Sequence, residues 1–229
     1  MEYLHNRLLP HLIKKVFKKL IFRYRYNFSP PPDYTDLSFY ENLLDFIKRN
    51  KIYEIDGDVL EIGAFLGGGT YKLCKFYEQY APDKKVITVD IFDPSFDKIE
   101  CSDGKKMSDL YGRYLSQLGR SQIEIFKSVT EGCKNLETIV GDSKNIVLSS
   151  SKISFAYIDG NHATEYILSD FYKIWDKVPV GGVVAFDDYG YDLPNVTKAI
   201  HMIIGKEQDK IARIHTGGLK TIFIQKGKQ

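Results

Sequence analysis

Three aspartates and a histidine close two apolar runs in the stretch FAYIDGNHATEYILSDFYKIWDKVPVGGVVAFDDY, residues 155–189. Asp159 ends the first run, with His162 shortly after it, and Asp187 and Asp188 end the second. A hard divalent cation takes oxygen ligands and lowers the pKa of a hydroxyl bound to it, so grouped carboxylates are the residues that chemistry needs. A histidine beside them is a candidate general base. Each residue also has a plainer use: Asp187 or Asp188 could cap a loop or a helix, Asp159 could orient a cofactor, and His162 could be a solvated loop residue.

The elements that must position them are short. Ile153–Ile158 and Gly182–Phe186 are rich in β-branched and aromatic residues and read as buried parallel strands. Between them, Tyr166, Ile167, Phe171, Ile174 and Trp175 recur at helical spacing, predicting a helix over Thr164–Trp175. A right-handed crossover through that helix leaves the strands parallel and close together, so their carboxylates meet at one edge. Open α/β sheets bind ligands in the crevice at that edge, which Asp159, His162, Asp187 and Asp188 would line.

The rest of the chain supplies the frame. A composition 43% hydrophobic and 27% charged over 229 residues suits one sizeable domain with an appendage. Residues 1–28 are the appendage: Met1–Tyr26 carries seven Lys/Arg against one Glu, with Leu8, Leu9, Leu12, Ile13, Val16, Phe17, Leu20, Ile21 and Tyr24 along one helical stripe. Such a helix attaches to an anionic membrane surface, docks on a partner or a second copy, or packs on its own domain. Residues 29–36, with Pro30, Pro31 and Pro32, form a stiff linker, and the main domain spans 37–229. Cys74, Cys101 and Cys133 form no CxxC pair, which fits a reducing, cytoplasmic setting, with the basic helix allowing peripheral membrane contact.

Leu37–Asn50 reads as an amphipathic helix ahead of a strand, Val59–Ile62, which ends in the turn EIGAFLGGGTY. Gly63, Gly67, Gly68 and Gly69 remove side chains where the strand hands over to the helix Thr70–Tyr80 and expose backbone N–H groups there. Val86–Asp90 is a strand whose final acid, Asp90, falls where a ribose-binding acid belongs. The glycine spacing departs from GxGxxG, which argues against a dinucleotide site. Residues 93–119 form an insertion of the kind that acts as a lid, with a helical piece over Leu110–Leu118. A helix over Ser121–Asn135 and a strand over Leu136–Val140 follow, and Asp142 at the strand exit could cap the next helix or touch a base. Leu193–Gly205 is a helix, and Ala212–His215 and Lys220–Gln225 form an antiparallel hairpin. The expected fold is an α/β, doubly wound, mostly parallel seven-stranded sheet with that hairpin at its C-terminal end.

In this order EIGAFLGGGTY, VITVD, IVGDS, YIDGNH and PVGGVVAFDDY resemble the class I S-adenosylmethionine-dependent methyltransferases, over about residues 37–226. The IDGNH and FDDY motifs are similar to the metal-dependent small-molecule and antibiotic-sugar O-methyltransferases, the macrocin O-methyltransferase group, and more distantly to catechol O-methyltransferase. The resemblance implies a Rossmann-like methyltransferase fold and S-adenosyl-L-methionine as methyl donor, held by Glu61, Gly63, Gly67, Gly68, Gly69, Asp90, Asp142, Ser143 and Asp159. It implies magnesium or a similar divalent cation on Asp159, Asp187 and Asp188, with His162 and Asp159 catalytic, and a sugar or natural-product hydroxyl as acceptor. Nucleic acid is not expected, because Asp159-Gly160-Asn161-His162 stands where amino-group methylating families carry Asn/Asp-Pro-Pro-Tyr. A metal-independent methyltransferase acting on another acceptor, including nucleic acid or protein, and a noncatalytic cofactor-binding subunit are the alternatives.

Overall fold

The computed structural model describes residues 2–35, 40–218 and 220–228, with the side chains of residues 2–12 outside that description. The main sheet has seven strands in the order β3-β2-β1-β4-β5-β7-β6. These are β1 (Asp58–Ile62), β2 (Val86–Asp90), β3 (Leu136–Val140), β4 (Ile153–Ile158), β5 (Val183–Phe186), β6 (Ile211–Gly217) and β7 (Thr221–Lys226). The first five run parallel, while β7 lies antiparallel between β5 and β6. This is the doubly wound, mostly parallel seven-stranded sheet with an antiparallel C-terminal hairpin that the sequence predicts.

Adjacent residues of the central strands face opposite layers, and both layers are covered. On one face Phe171, Ile174 and Trp175 of α6 (Thr164–Trp175) and Ala199 and Ile200 of α7 (Pro194–Glu207) join Leu60, Ala156 and Val184 in one core. On the other, Leu43, Leu44 and Ile47 of α2 (Tyr40–Arg49) and Leu73, Phe76 and Tyr77 of α3 (Gly68–Tyr80) join Val59, Phe155 and Val183. Burial on both faces is why these strands read as continuous apolar runs. Strand order reverses between β1 and β4, so the crevice at their carboxyl ends opens there.

Several boundaries differ from expectation for local reasons. The Leu37–Phe39 part of the predicted second helix lies outside the described residues. The glycine-turn helix α3 starts at Gly68, because Gly67 takes the left-handed N-cap position with φ +85°. The helix predicted over Ser121–Asn135 is α5 (Gln122–Thr130): a capping box on Ser121 and Glu124 opens it, and it stops just before Gly132, whose φ is +83°. The insertion helix is α4 (Met107–Ser116). The N-terminal α1 runs Glu2–Tyr26.

At the end of β1, Glu61 is fully buried and accepts hydrogen bonds from Tyr40 Oη (2.7 Å), Thr70 Oγ1 (2.5 Å) and Thr88 Oγ1 (2.8 Å). It thereby ties α2, α3 and β2 together. Burial raises its pKa from 4.5 to about 7, against the pull of those three hydroxyls. Above pH 4.5 the folded chain therefore keeps a proton that the unfolded chain releases, so stability falls as pH climbs from there through about 7, by on the order of 3 kcal/mol. Glu61→Gln should remove that slope. Melting temperatures of parent and variant compared from about pH 5 to about pH 8 should diverge as the parent loses stability. Parallel curves would mean that Glu61 is ionised in the fold throughout.

Candidate functional site

The glycine turn after β1 is pressed against the end of β4. Gly63 has φ +91°, and a Cβ built on it would lie 2.0 Å from the Asp159 carbonyl oxygen. The backbone can hold this approach only without a side chain, and it fixes Asp159 beside the turn. Gly63→Ala should cost about 2–4 kcal/mol through the left-handed conformation and the clash together, read by denaturant unfolding. An unchanged midpoint would show that the two strand ends separate freely.

Two cavities open from this point. A narrow one of about 100 Å³ runs along the ends of β1, β2 and β3, with Asp90, Gln122, Asp142 and Ser143 in its wall. A wider one of about 410 Å³ lies toward β5 and β7, between α4 and the loop after β5, with Tyr40, Met107, Leu110, Tyr191 and Lys220 in its wall. Gly63, Phe65, Tyr111 and Asp159 line both.

Asp90 receives the backbone N–H groups of Ala64 (2.7 Å), Phe65 (3.1 Å) and Phe92 (2.6 Å), which lock the glycine turn to β2. Burial raises its pKa, and those amides offset part of the rise. Asp142 caps its own exit turn through Lys144 N–H (3.0 Å) and also receives Tyr166 Oη (3.2 Å) while facing the narrow cavity. The other residues assigned to the donor divide. Gly69 faces the wider cavity, and Gly67 and Gly68 line neither. Built at Gly67 or Gly69, a Cβ would strike Phe126 or the Tyr40 ring, so both glycines make room for neighbouring elements. Glu61 sits behind the turn in its hydroxyl network and lines neither cavity.

The carboxylates converge on one side of Asp159. Atoms of Asp159, His162 and Asp188 lie within 4.8 Å of one another, a spacing that could hold a metal ion. Asp187 is turned aside: Lys220 Nζ is 2.5 Å from Asp187 Oδ2 and 2.8 Å from Asp188 Oδ1. Asp188 has φ 57°, a left-handed conformation unusual for a non-glycine residue, and it turns this carboxylate from its neighbour's path toward His162. His162 is buried, with Nδ1 hydrogen-bonded to Asp97 and Nε2 3.1 Å from Asp188 Oδ2.

These contacts set the charges. Burial alone would lower the His162 pKa, but the hydrogen bonds to Asp188 and Asp97 win and raise it to about 10, so the ring is an imidazolium. Burial opposes ionisation of Asp188 too, and His162 and Lys220 overcome it to bring its pKa to about 2. Asp159 is pushed well above the carboxylate range, by burial first and then by the charges of Asp187 and Asp188. Among the described residues, Asp97, Asp187 and Asp188 thus share the two cations His162 and Lys220, and a further positive charge beside Asp159 would draw off its proton.

Sequence reasoning did not single out Asp97, Tyr111 or Lys220. Asp97 and Tyr111 sit in the 93–119 insertion, where no motif marks them. Lys220 stands at the turn end of the C-terminal hairpin, just ahead of β7, and only the antiparallel pairing of β7 with β5 reveals that it reaches Asp187 and Asp188.

A family described as "Methyltransferase domain" matches residues 60–189. No curated protein matches the sequence. Among solved structures, the O-methyltransferase NovP superposes with a TM-score of 0.65 at 21% identity, covering 82% of this chain and 79% of NovP. The calicheamicin methyltransferase CalS11 gives 0.60 at 17% identity, with the same coverages of 82% and 79%. In its apo form CalS11 is described as a TDP-rhamnose 3'-O-methyltransferase. At these identities the likeness is one of fold.

Proposed function

Because the chain belongs to the methyltransferase-domain family, we propose that it moves a methyl group from S-adenosylmethionine to a hydroxyl of a small molecule, a sugar or natural product. The observation that carries this reading is the shared wall of the two cavities: a donor in the narrow one and an acceptor in the wider one would meet at Asp159. Asp90, Asp142 and Ser143, in the wall of the narrow cavity, would face the ribose and base of the donor. That NovP and CalS11 are O-methyltransferases supports oxygen as the acceptor atom.

A neutral hydroxyl attacks a sulfonium methyl poorly, so the site must take its proton while holding oxygen, carbon and sulfur in line. As the new C–O bond forms, the C–S bond breaks, S-adenosylhomocysteine departs and the hydroxyl proton passes to Asp159, whose ionised form the positive sulfonium of the bound donor would favour against the burial that raises its pKa. His162 is the weaker candidate for that proton, since both its nitrogens are engaged by carboxylates. Its part is to hold Asp188 and Asp97 in place. Tyr111 and Phe65, on the wall between the cavities, would exclude water from the reacting atoms.

The donor set suits a hard divalent cation such as magnesium: oxygen ligands predominate and the local charge is negative. Asp159, Asp187 and Asp188 would hold it, displacing Lys220, and it would lower the pKa of the acceptor hydroxyl. The alternative is metal-independent transfer, favoured by Lys220 already sitting as a cation between Asp187 and Asp188.

The test is incubation with deuteromethyl-labelled S-adenosylmethionine and a panel of nucleotide sugars, glycosides and phenols, analysed by mass spectrometry with and without a chelator. Labelled methyl on oxygen supports the reading. Donor binding without transfer to any hydroxyl, or label on nitrogen, sinks it.

A further inference from the structure

The N-terminal helix carries apolar residues on the side turned away from the domain. Phe22 and Tyr26 of α1 are buried, with Tyr26 Oη donating to Asp45 (2.8 Å) and Arg25 paired with the same carboxylate. Lys15 reaches Asp33 at 2.8 Å. These contacts fix one side of the helix against the body of the molecule. On the other side Ile13, Val16, Phe17, Leu20 and Ile21 are between 53% and 61% exposed, and Tyr24 is 94% exposed.

At about 100° per residue, these six side chains fall within an arc of roughly 140°, opposite Phe22 and Tyr26. Lys14 borders the arc along one edge and Arg23 along the other, with Lys18 and Lys19 about 40° further round on their respective sides. No acidic residue occurs between Ile13 and Arg25. An exposed apolar stripe with basic residues along both edges lies at a lipid interface, burying its apolar side among acyl chains while the long cationic side chains reach the head groups.

We infer that this face of α1 docks the protein on an anionic membrane surface. Charge complementarity selects the occupant. A second copy laid on the stripe would bring the same cations edge to edge with no carboxylate in the facing 13–25 stretch. An anionic bilayer supplies hydrocarbon and negative charge together. Among the described residues no helix is long and apolar enough to cross a membrane, so attachment would be peripheral. This inference is independent of the methyl-transfer reading.

The test is flotation of the full chain with vesicles of phosphatidylcholine alone or mixed with phosphatidylglycerol. Binding should be strong on the mixed vesicles, at least tenfold weaker on the neutral ones, and weakened by raised salt. The Phe17→Glu/Leu20→Glu variant should lose at least tenfold in binding with an unchanged melting curve, because both side chains are exposed. Replacing Lys14, Lys18, Lys19 and Arg23 with Gln should cost about fivefold for each cation removed. Equal binding to both vesicles, or no binding to either, overturns the inference. So does a dimer, seen by sedimentation, that Phe17→Glu dissociates, because a second copy would then cover the stripe.

Discussion

Asp159→Asn should lower turnover by on the order of 10³-fold while leaving S-adenosylmethionine binding close to the parental value. The substitution keeps the shape of the side chain and the backbone contact with Gly63, so the glycine turn and Asp90 should still present the narrow cavity to the donor. What is lost is an oxygen able to accept a proton at the wall common to both cavities. Calorimetry would read donor binding, and initial rates on an acceptor found in the panel would read turnover. A variant within about tenfold of the parental rate would remove Asp159 from proton transfer, since general bases contribute about 10²–10⁴. Equal losses in donor binding and turnover would instead make Asp159 a donor-binding residue.

Lys220→Met should destabilise the protein when no divalent ion is added and should be largely rescued by magnesium. The ammonium bridges Asp187 and Asp188, with Asp159 also within electrostatic reach. Its removal leaves neighbouring carboxylates without their nearest cation, a loss of about 3 kcal/mol, at the low end for a buried pair because Lys220 keeps some contact with water. For a domain of this size that corresponds to a melting temperature lower by roughly 6–12 °C. Since the variant no longer has to displace an ammonium, magnesium should bind it more tightly than the parent and raise its melting temperature further. Titration calorimetry and thermal melts read both effects without any acceptor. A destabilised variant that magnesium does not rescue would support the metal-independent alternative, and an unchanged melting temperature would show that the bridge carries no stability.

The parallel core was legible because burial on both faces forces unbroken runs of β-branched and aromatic residues, as in Ile153–Ile158. The acids that follow such runs stand at the ligand-binding edge by topology alone, so the sequence by itself brings Asp159, Asp187 and Asp188 to one edge. What each carboxylate faces was not legible. Alternation along a strand separates neighbouring side chains, and the left-handed turn at Asp188 decides that it meets His162 while Asp187 meets Lys220. The cations and acids that complete the cluster come from remote, unpatterned segments: Asp97 lies 65 positions from His162, and Lys220 lies 32 from Asp188. Glu61 was legible as a donor-side turn acid only through the family resemblance. Its three hydroxyl partners depend on how α2, α3 and β2 pack around it.

The reversal of β7 has a consequence for how this edge can be adjusted. An antiparallel strand brings its head to the rim where its parallel neighbours present their tails, and that is how Lys220 arrives beside Asp187. Running the other way, the six-residue strand would carry the lysine to the far rim, roughly 20 Å off. The bend leading into β7 therefore works as a setscrew on local charge. Lengthening or shortening it would advance or withdraw one ammonium while every parallel strand stayed where it is.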